Sequence, residues 1–278
     1  MDLNKAIEFA QLVNAAYTIQ PGNLANSAGA VLSAGGTSYT VVTTIYAFDL
    51  ATDIKPDRGK DPVSIGLICQ ANGTGDVVIA IRGTEGIEEW IQDARFHRVA
   101  CPFLAGAGLT EDGFTAMYMS LRTDVAAGSP RVVSALATLP FPLPLSSLTI
   151  CGHSLGGALA TLLALDVAAN TAFKDPTVYT YASPRTGDPL FVSTYNQVVK
   201  KSFRIANRLD LVPKLPLPPE YDHVEALFDL NPIQLSPFPP RILVKPTLAC
   251  EHALASYLHL LSVLSGGPEL PLGPECVP

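Results

Sequence analysis

The tightest constraint on this chain is the stretch Leu148–Asn170, LTICGHSLGGALATLLALDVAAN. Leu148, Thr149, Ile150 and Cys151 have the character of a short buried strand, and from Leu155 the pattern turns helical and rich in Ala and Leu. Between them, Gly152-His153-Ser154-Leu155-Gly156 spells G-x-S-x-G. A strand that runs through this motif directly into a helix must turn sharply, and glycine on both sides of the serine lets the two backbones approach. Ser154 then stands at the tip of the turn. The helix N-terminus beneath it offers free N–H groups and a partial positive charge to a developing oxyanion. A glycine-bearing turn with an incidental serine is the plainer reading. The full GHSLGG with the correct flanks favours a nucleophile.

Composition narrows the setting. The chain has 278 residues, 48% hydrophobic and 15% charged, which suits one large α/β domain with an ample core. The net charge of -7, with no Lys/Arg cluster, argues against a nucleic-acid partner. Five cysteines (Cys69, Cys101, Cys151, Cys250, Cys276) are widely spaced without a C-x-x-C or His/Cys cluster, so no metal site is expected. Cys69 and Cys151 fall in expected strands. Cys101, Cys250 and Cys276 fall in loops or the tail, where one pair could be bridged, and the odd count leaves at least one thiol free. The N-terminus reads as an amphipathic helix rather than a signal peptide, and no apolar run is long enough to span a membrane. That leaves the compartment open between cytoplasmic and a mature secreted form.

In chain order, the spacing of Leu3, Ile7, Ala10 and Val13 predicts a helix over Asp2–Tyr17. Pro21–Ser38 reads as an irregular connection. Val41–Phe48, Val63–Ala71 and Val77–Ile81 read as an antiparallel trio of strands, with a polar loop over 49–62. Ile87, Trp90, Ile91 and Ala94 follow helical spacing in a short amphipathic helix. Val99–Leu109 looks like a loop, and Asp112–Ala127 and Arg131–Leu139 look helical. Beyond the central stretch come a strand (177–182), a helix (189–200), a strand (202–207), and a Pro-rich segment with short extended pieces near 223–228 and 241–244. A helix over Glu251–Leu264 and a Pro/Gly tail at 266–278 finish the chain. Strands alternating with helices after residue 110 predict an α/β fold with a mostly parallel sheet, an antiparallel N-terminal part and helices on both faces. No linker divides it, so residues 1–278 read as a single domain.

A nucleophilic serine needs a base, and the base needs an orienting acid. With the chain order serine, acid, histidine, the bases available after Ser154 are His223, His252 and His259. His252 opens a helix straight after a loop and is the first choice, with His223 the runner-up. His259, two turns further along, reads as structural or exposed. Asp210, just beyond a strand, is the first choice of acid. Asp188, Asp222 and Asp229 compete with it.

These segments together resemble the class 3 lipases, the filamentous-fungal-lipase-like branch of the α/β hydrolases. The resemblance is carried by RGTEGIEEWIQD (82–93), GHSLGG (152–157), YASPRTGD (181–188), RIANRLDLVPKLP (204–216), YDHVEALF (221–228) and HALASY (252–257). It implies Ser154, Asp210 and His252 as a triad, and places His223 in a segment that is not catalytic. It further implies an oxyanion hole from the N–H groups of Thr84 and Leu155, with the Thr84 hydroxyl as a third donor steadied by Asp93. Residues 85–96 correspond to a short helical lid whose Ile87/Trp90/Ile91 face would meet a lipid surface transiently. Trp90, Val212, Leu215 and Ala253 are candidates for the acyl site. The chain departs from the family pattern at Ala182, where glycine is usual, at Glu111-Asp112-Gly113-Phe114, and in its short Pro-rich segment between Asp210 and His252. The expectation is a cofactor-free serine ester hydrolase, a lipase on acylglycerol or other fatty-acyl esters. The alternatives are a short-chain or feruloyl-type esterase, a phospholipase or thioesterase on the same scaffold, and a catalytically silent binding protein.

Overall fold

Strands with both faces buried should be largely apolar, and the centre of this chain meets that condition. In the computed structural model, which describes residues 1–18, 28–47, 62–84, 96–126, 128–224, 226–232 and 247–276, β4 (Val77–Ile81) and β7 (Leu148–His153) are buried at every position. Period-two alternation sorts β4 between two cores. Val77, Ile79 and Ile81 face one, and Val78 and Ala80 face the other.

Around this pair an eight-stranded sheet is built in the order β1-β2-β3-β4-β7-β8-β9-β10. The remaining members are β1 (Val31–Ala34), β2 (Thr37–Ala47), β3 (Val63–Ala71), β8 (Thr177–Tyr181), β9 (Lys201–Asn207) and β10 (Leu227–Leu230). Pairing is antiparallel from β1 to β4 and parallel from β4 to β10. The expected antiparallel start and parallel remainder are both present. On one face lie helices α2 (Asp112–Ser120), α3 (Val132–Ala135), α4 (Leu155–Asn170) and α5 (Pro189–Val198), packed on Ile45, Ile79 and Ile150. On the other lie α1 (Leu3–Tyr17) and the C-terminal helix α7 (Leu254–Ser265), packed on Leu67, Cys151, Tyr181 and Ile205. No helix among the described residues is long and apolar enough to cross a membrane.

Helix α4 is buried from Leu155 to Ala168, so it is apolar on all sides rather than along one stripe. Its one charge, Asp166, is compensated rather than exposed. Tyr118 Oη donates to it at 2.5 Å, Arg131 at 3.0 Å and Asn170 Nδ2 at 2.7 Å.

Several expectations need correction. The stretch read as irregular up to Ser38 contains β1 and the start of β2. Gly35 and Gly36, both at positive φ, make the two-residue turn that pairs Ala34 with Thr37. Residues 99–109 contribute to a separate hairpin, β5 (Arg98–Ala100) with β6 (Leu109–Glu111). Helix α2 ends at Ser120 because Leu121 is extended. The expected C-terminal helix is two helices, α6 (Leu248–His252) and α7, split by Ala253 at φ -56°, ψ 135°. The expected extended piece at 241–244 lies outside the described residues, as do the expected loop over 49–62 apart from Pro62 and the expected lid over 85–96 apart from Phe96.

Cys250 in α6 and Cys276 in the tail form a disulfide, and Cys69, Cys101 and Cys151 are free and buried. His259 is structural, its Nδ1–H donating to Leu270 O at 2.7 Å. The bridge closes a loop with a sequence separation of 26. Replacing both Cys250 and Cys276 by Ala should therefore cost about 3 kcal/mol in urea unfolding. A loss below about 1 kcal/mol would show that the tail adds no constraint.

Between β9 and β10 the chain closes over His223, whose Nε2–H donates to Pro213 O, while Arg204 Nε donates to Val224 O at 3.1 Å. Burial, reinforced by the Arg204 guanidinium, pushes the His223 pKa from 6.5 down to about 3. Below 6.5 the unfolded chain takes up this proton and the folded chain does not, so stability is full above that value and falls toward 3. Within that window His223 contributes a slope of up to about 1.4 kcal/mol per pH unit. Urea unfolding at about pH 7 and about pH 5 should show a shallower loss in His223→Gln than in wild type. Parallel losses would contradict burial of a neutral imidazole.

Candidate active site

Ser154 occupies a backbone conformation that side chains rarely adopt, φ 58° and ψ -127°. Such a residue costs on the order of 1–3 kcal/mol and persists only when its surroundings hold it. Three contacts do so. The Ser154 N–H donates to Tyr181 O at 2.9 Å, and Ser154 O accepts from Gly157 N at 2.8 Å. The third is backbone packing. A Cβ on Gly152 would lie 2.1 Å from Gly156 O, and one on Gly156 would lie 2.3 Å from Ile81 O. Strand β7, helix α4 and the end of β4 thus touch through bare backbone, which is the physical content of the two glycines in G-x-S-x-G.

The turn aims Ser154 Oγ at His252. The Oγ–Nε2 distance is 2.8 Å, and His252 Nδ1 is 2.9 Å from Asp210 Oδ2. With Nδ1–H donating to the carboxylate, Nε2 is left to accept the serine proton. All three residues are buried, Asp210 completely. The aspartate's burial is compensated by two further donors, Tyr257 Oη at 2.8 Å to Oδ2 and Val212 N at 2.9 Å to Oδ1. Asp210 itself sits in the turn after β9, its N–H donating to Asn207 O at 3.1 Å. The arrangement sets a hydroxyl, an imidazole and a buried carboxylate in one hydrogen-bonded line, which is the geometry a nucleophile, base and orienting acid require.

Thr84 lies three residues past β4. Its neighbour Gly83 abuts the serine, since a Cβ there would fall 2.8 Å from Ser154 Cβ. The Thr84 hydroxyl is buried with no hydrogen-bond partner among the described residues. A buried, unsatisfied donor is costly unless something else will use it. Leu155 is the first residue of α4, where backbone N–H groups have no partner within the helix.

Other expected residues find definite places. Val212 is buried and holds Asp210 through its N–H, Leu215 accepts from Arg185 N at 2.7 Å, and Ala253 breaks the chain directly after His252. Ile87, Trp90, Ile91 and Asp93 lie outside the described residues. Among the rivals, His223 is spent on Pro213 and stands apart from the serine's partners. Asp188 caps α5 through Phe191 N at 2.8 Å, Asp222 is exposed, and Asp229 pairs with Arg208. Three residues escaped the sequence reading as part of this region: Tyr257, Tyr17 and His153. Tyr257 carried a signal, since it lies five residues beyond His252 in the same segment. Tyr17, at the end of an ordinary amphipathic helix, carried none.

The Lipase (class 3) family matches residues 78–220 of this chain. A secreted mono- and diacylglycerol lipase 1 from Fusarium solani is 32% identical over 145 residues, covering 52% of this chain and 40% of the relative. Phospholipase A1-II 7 from Oryza sativa subsp. indica is 29% identical over 283 residues, covering 86% of this chain and 68% of the relative. Among solved structures, a mutant form of MDLA from Penicillium cyclopium superposes with a TM-score of 0.63 at 25% identity, covering 82% of this chain and 80% of that one. The chain spans less than half the length of the fungal lipases it matches in sequence. The matched segment holds the serine turn, the Thr84 strand end and Asp210, and it makes up half of the chain: the protein belongs to the class 3 lipase family and has the α/β-hydrolase fold.

Proposed function

We propose that this protein is a serine carboxylic-ester hydrolase, a lipase that cleaves acylglycerol or other fatty-acyl esters through an acyl-enzyme. The observation that carries the reading is the continuous chain Ser154 Oγ, His252 Nε2, His252 Nδ1, Asp210 Oδ2, with links of 2.8 and 2.9 Å. In this reading His252 takes the serine proton as Oγ attacks the ester carbonyl. Asp210 holds the tautomer and stabilises the imidazolium. The N–H groups of Thr84 and Leu155, with the otherwise unsatisfied Thr84 hydroxyl, receive the oxyanion. His252 then protonates the leaving alcohol, and water releases the acyl group by the same route. Every proton moves between groups of the chain, the substrate and water.

The preference for acylglycerols rests on the fungal relatives named above. The Oryza sativa relative, whose match extends over 86% of this chain, supports phospholipid as the second substrate class. The apolar spacing of Ile87, Trp90 and Ile91 supports residues 85–96 as a lid that contacts a lipid interface. Val212, Leu215 and Ala253, which flank Asp210 and His252 in the chain, are proposed to border the acyl site. The reading treats the whole chain as one catalytic domain.

Ser154→Ala should lower kcat on p-nitrophenyl esters by on the order of 10⁵- to 10⁶-fold without unfolding the protein. Turnover that survives the substitution would end the serine mechanism. Rates on emulsified di- and triacylglycerol and on phosphatidylcholine micelles then separate the two substrate classes. Activity confined to short soluble esters would make the protein an esterase.

Thr84→Val keeps the backbone N–H and removes only the hydroxyl. It should reduce kcat by about 10²-fold with little change in KM. An unchanged kcat would remove the hydroxyl from the oxyanion hole.

A further inference from the structure

His153, the first of the two variable residues of G-x-S-x-G, is buried and its ring lies against that of His252, with centroids 4.8 Å apart. None of the steps above uses it. Both of its ring nitrogens are engaged, and the chemistry of the partners fixes the direction of each bond. Nε2 lies 2.8 Å from the carbonyl oxygen of His252, which can only accept, so Nε2 carries the hydrogen. In a neutral imidazole Nδ1 is then an acceptor, and it lies 2.7 Å from Tyr17 Oη, which must donate. Tyr17 Oη in turn accepts from Gly83 N at 2.9 Å. The imidazole is neutral because burial, with His252 beside it, holds its pKa well below the usual histidine value. The result is a one-way chain: Gly83 N–H to Tyr17 O–H, Tyr17 O–H to His153 Nδ1, and His153 Nε2–H to His252 O.

Each end of this chain fastens a point that regular structure leaves loose. At one end, Ala253 interrupts the helix. The Ser256 N–H therefore turns to Ala253 O at 2.9 Å rather than to His252 O. The carbonyl of His252 has lost its helical partner in a buried place, and His153 supplies one. At the other end, Gly83 and Thr84 follow β4 without strand pairing of their own. Gly83 sits where a Cβ would meet both Tyr17 Oη and Ser154 Cβ at 2.8 Å.

We infer that His153 and Tyr17 are positioning residues. By tying the His252 carbonyl to the Gly83 N–H, they set the base and the oxyanion strand at a fixed separation on either side of Ser154. The inference rests on the proposed roles of His252 and Thr84, and it adds that the N-terminal helix, through one hydroxyl, is part of the catalytic apparatus. Their contribution is the placement of His252 and of the strand end that carries Thr84, for which small displacements cost large factors in rate.

The test uses Tyr17→Phe, which removes one oxygen from a half-buried side chain, and His153→Gln, whose amide retains a donor and an acceptor. Kinetics on p-nitrophenyl butyrate are normalised to serine content titrated with a phosphonate. In parallel, the low-field proton on His252 Nδ1 is followed by NMR in histidine-labelled protein. Tyr17→Phe is expected to lower kcat per titrated serine by about 10- to 100-fold, to leave KM within about twofold, and to shift the low-field proton. His153→Gln should retain more of kcat than His153→Phe. A Tyr17→Phe protein with unchanged kcat and an unmoved proton would overturn the inference, as would a loss confined to thermal stability. If wild type turns over no ester, the reading of the site as an ester hydrolase fails by itself. The low-field proton then still decides whether Tyr17 positions His252.

Discussion

The structure depends on one backbone crossing. Strand β7 runs into helix α4 through Ser154, and three stretches of main chain meet there with no side chain between them. Hypothetical Cβ atoms on Gly152 and Gly156 would lie 2.1 and 2.3 Å from carbonyl oxygens, distances no packed methyl tolerates. This contact holds the serine at a positive φ, with its hydroxyl 2.8 Å from His252 Nε2. It also brings the end of β4 against the serine, where a Cβ on Gly83 would fall 2.8 Å from Ser154 Cβ. The buried faces of β4 and β7 and the buried helix α4 hold that crossing from both sides.

The second dependence is the burial of Asp210. An isolated carboxylate at zero exposure is costly. Here His252 Nδ1, Tyr257 Oη and Val212 N all donate to it. Two of those donors come from the C-terminal helices, which are joined to the tail by the Cys250–Cys276 bridge. His252 is thus tied to the far end of the chain through the Cys250–Cys276 bridge and to α1 through the contacts of His153 with Tyr17 and the His252 carbonyl. Removing water from around the aspartate–histidine pair strengthens its electrostatic coupling.

Much of this was legible in the sequence, for physical reasons that differ by element. Val63–Ala71 and Val77–Ile81 were readable to the residue because apolar runs end at strong Gly/Asn/Asp turn signals. The serine turn was readable because so close a strand-to-helix crossing needs glycine on both sides of Ser154. Asp210 and His252 followed from chain order together with the family resemblance, and residue spacing alone left His223 in contention. The β1–β2 hairpin was missed because a Gly-Gly turn was lost within a Gly/Ala/Ser-rich stretch. The break at Ala253 was invisible because alanine favours helix. The Tyr17–His153 link joins residues 136 positions apart, and no local pattern encodes it.

The central claim is that the geometry around Ser154 makes that one hydroxyl a nucleophile. The most direct measurement is covalent: incubate the folded protein with diethyl p-nitrophenyl phosphate, release of nitrophenolate being followed, and map the adduct by peptide mass spectrometry. The account predicts one phosphoryl group per chain, located on Ser154 and absent from Ser154→Ala. A folded protein that remains unlabelled, or one labelled at another residue, would contradict it.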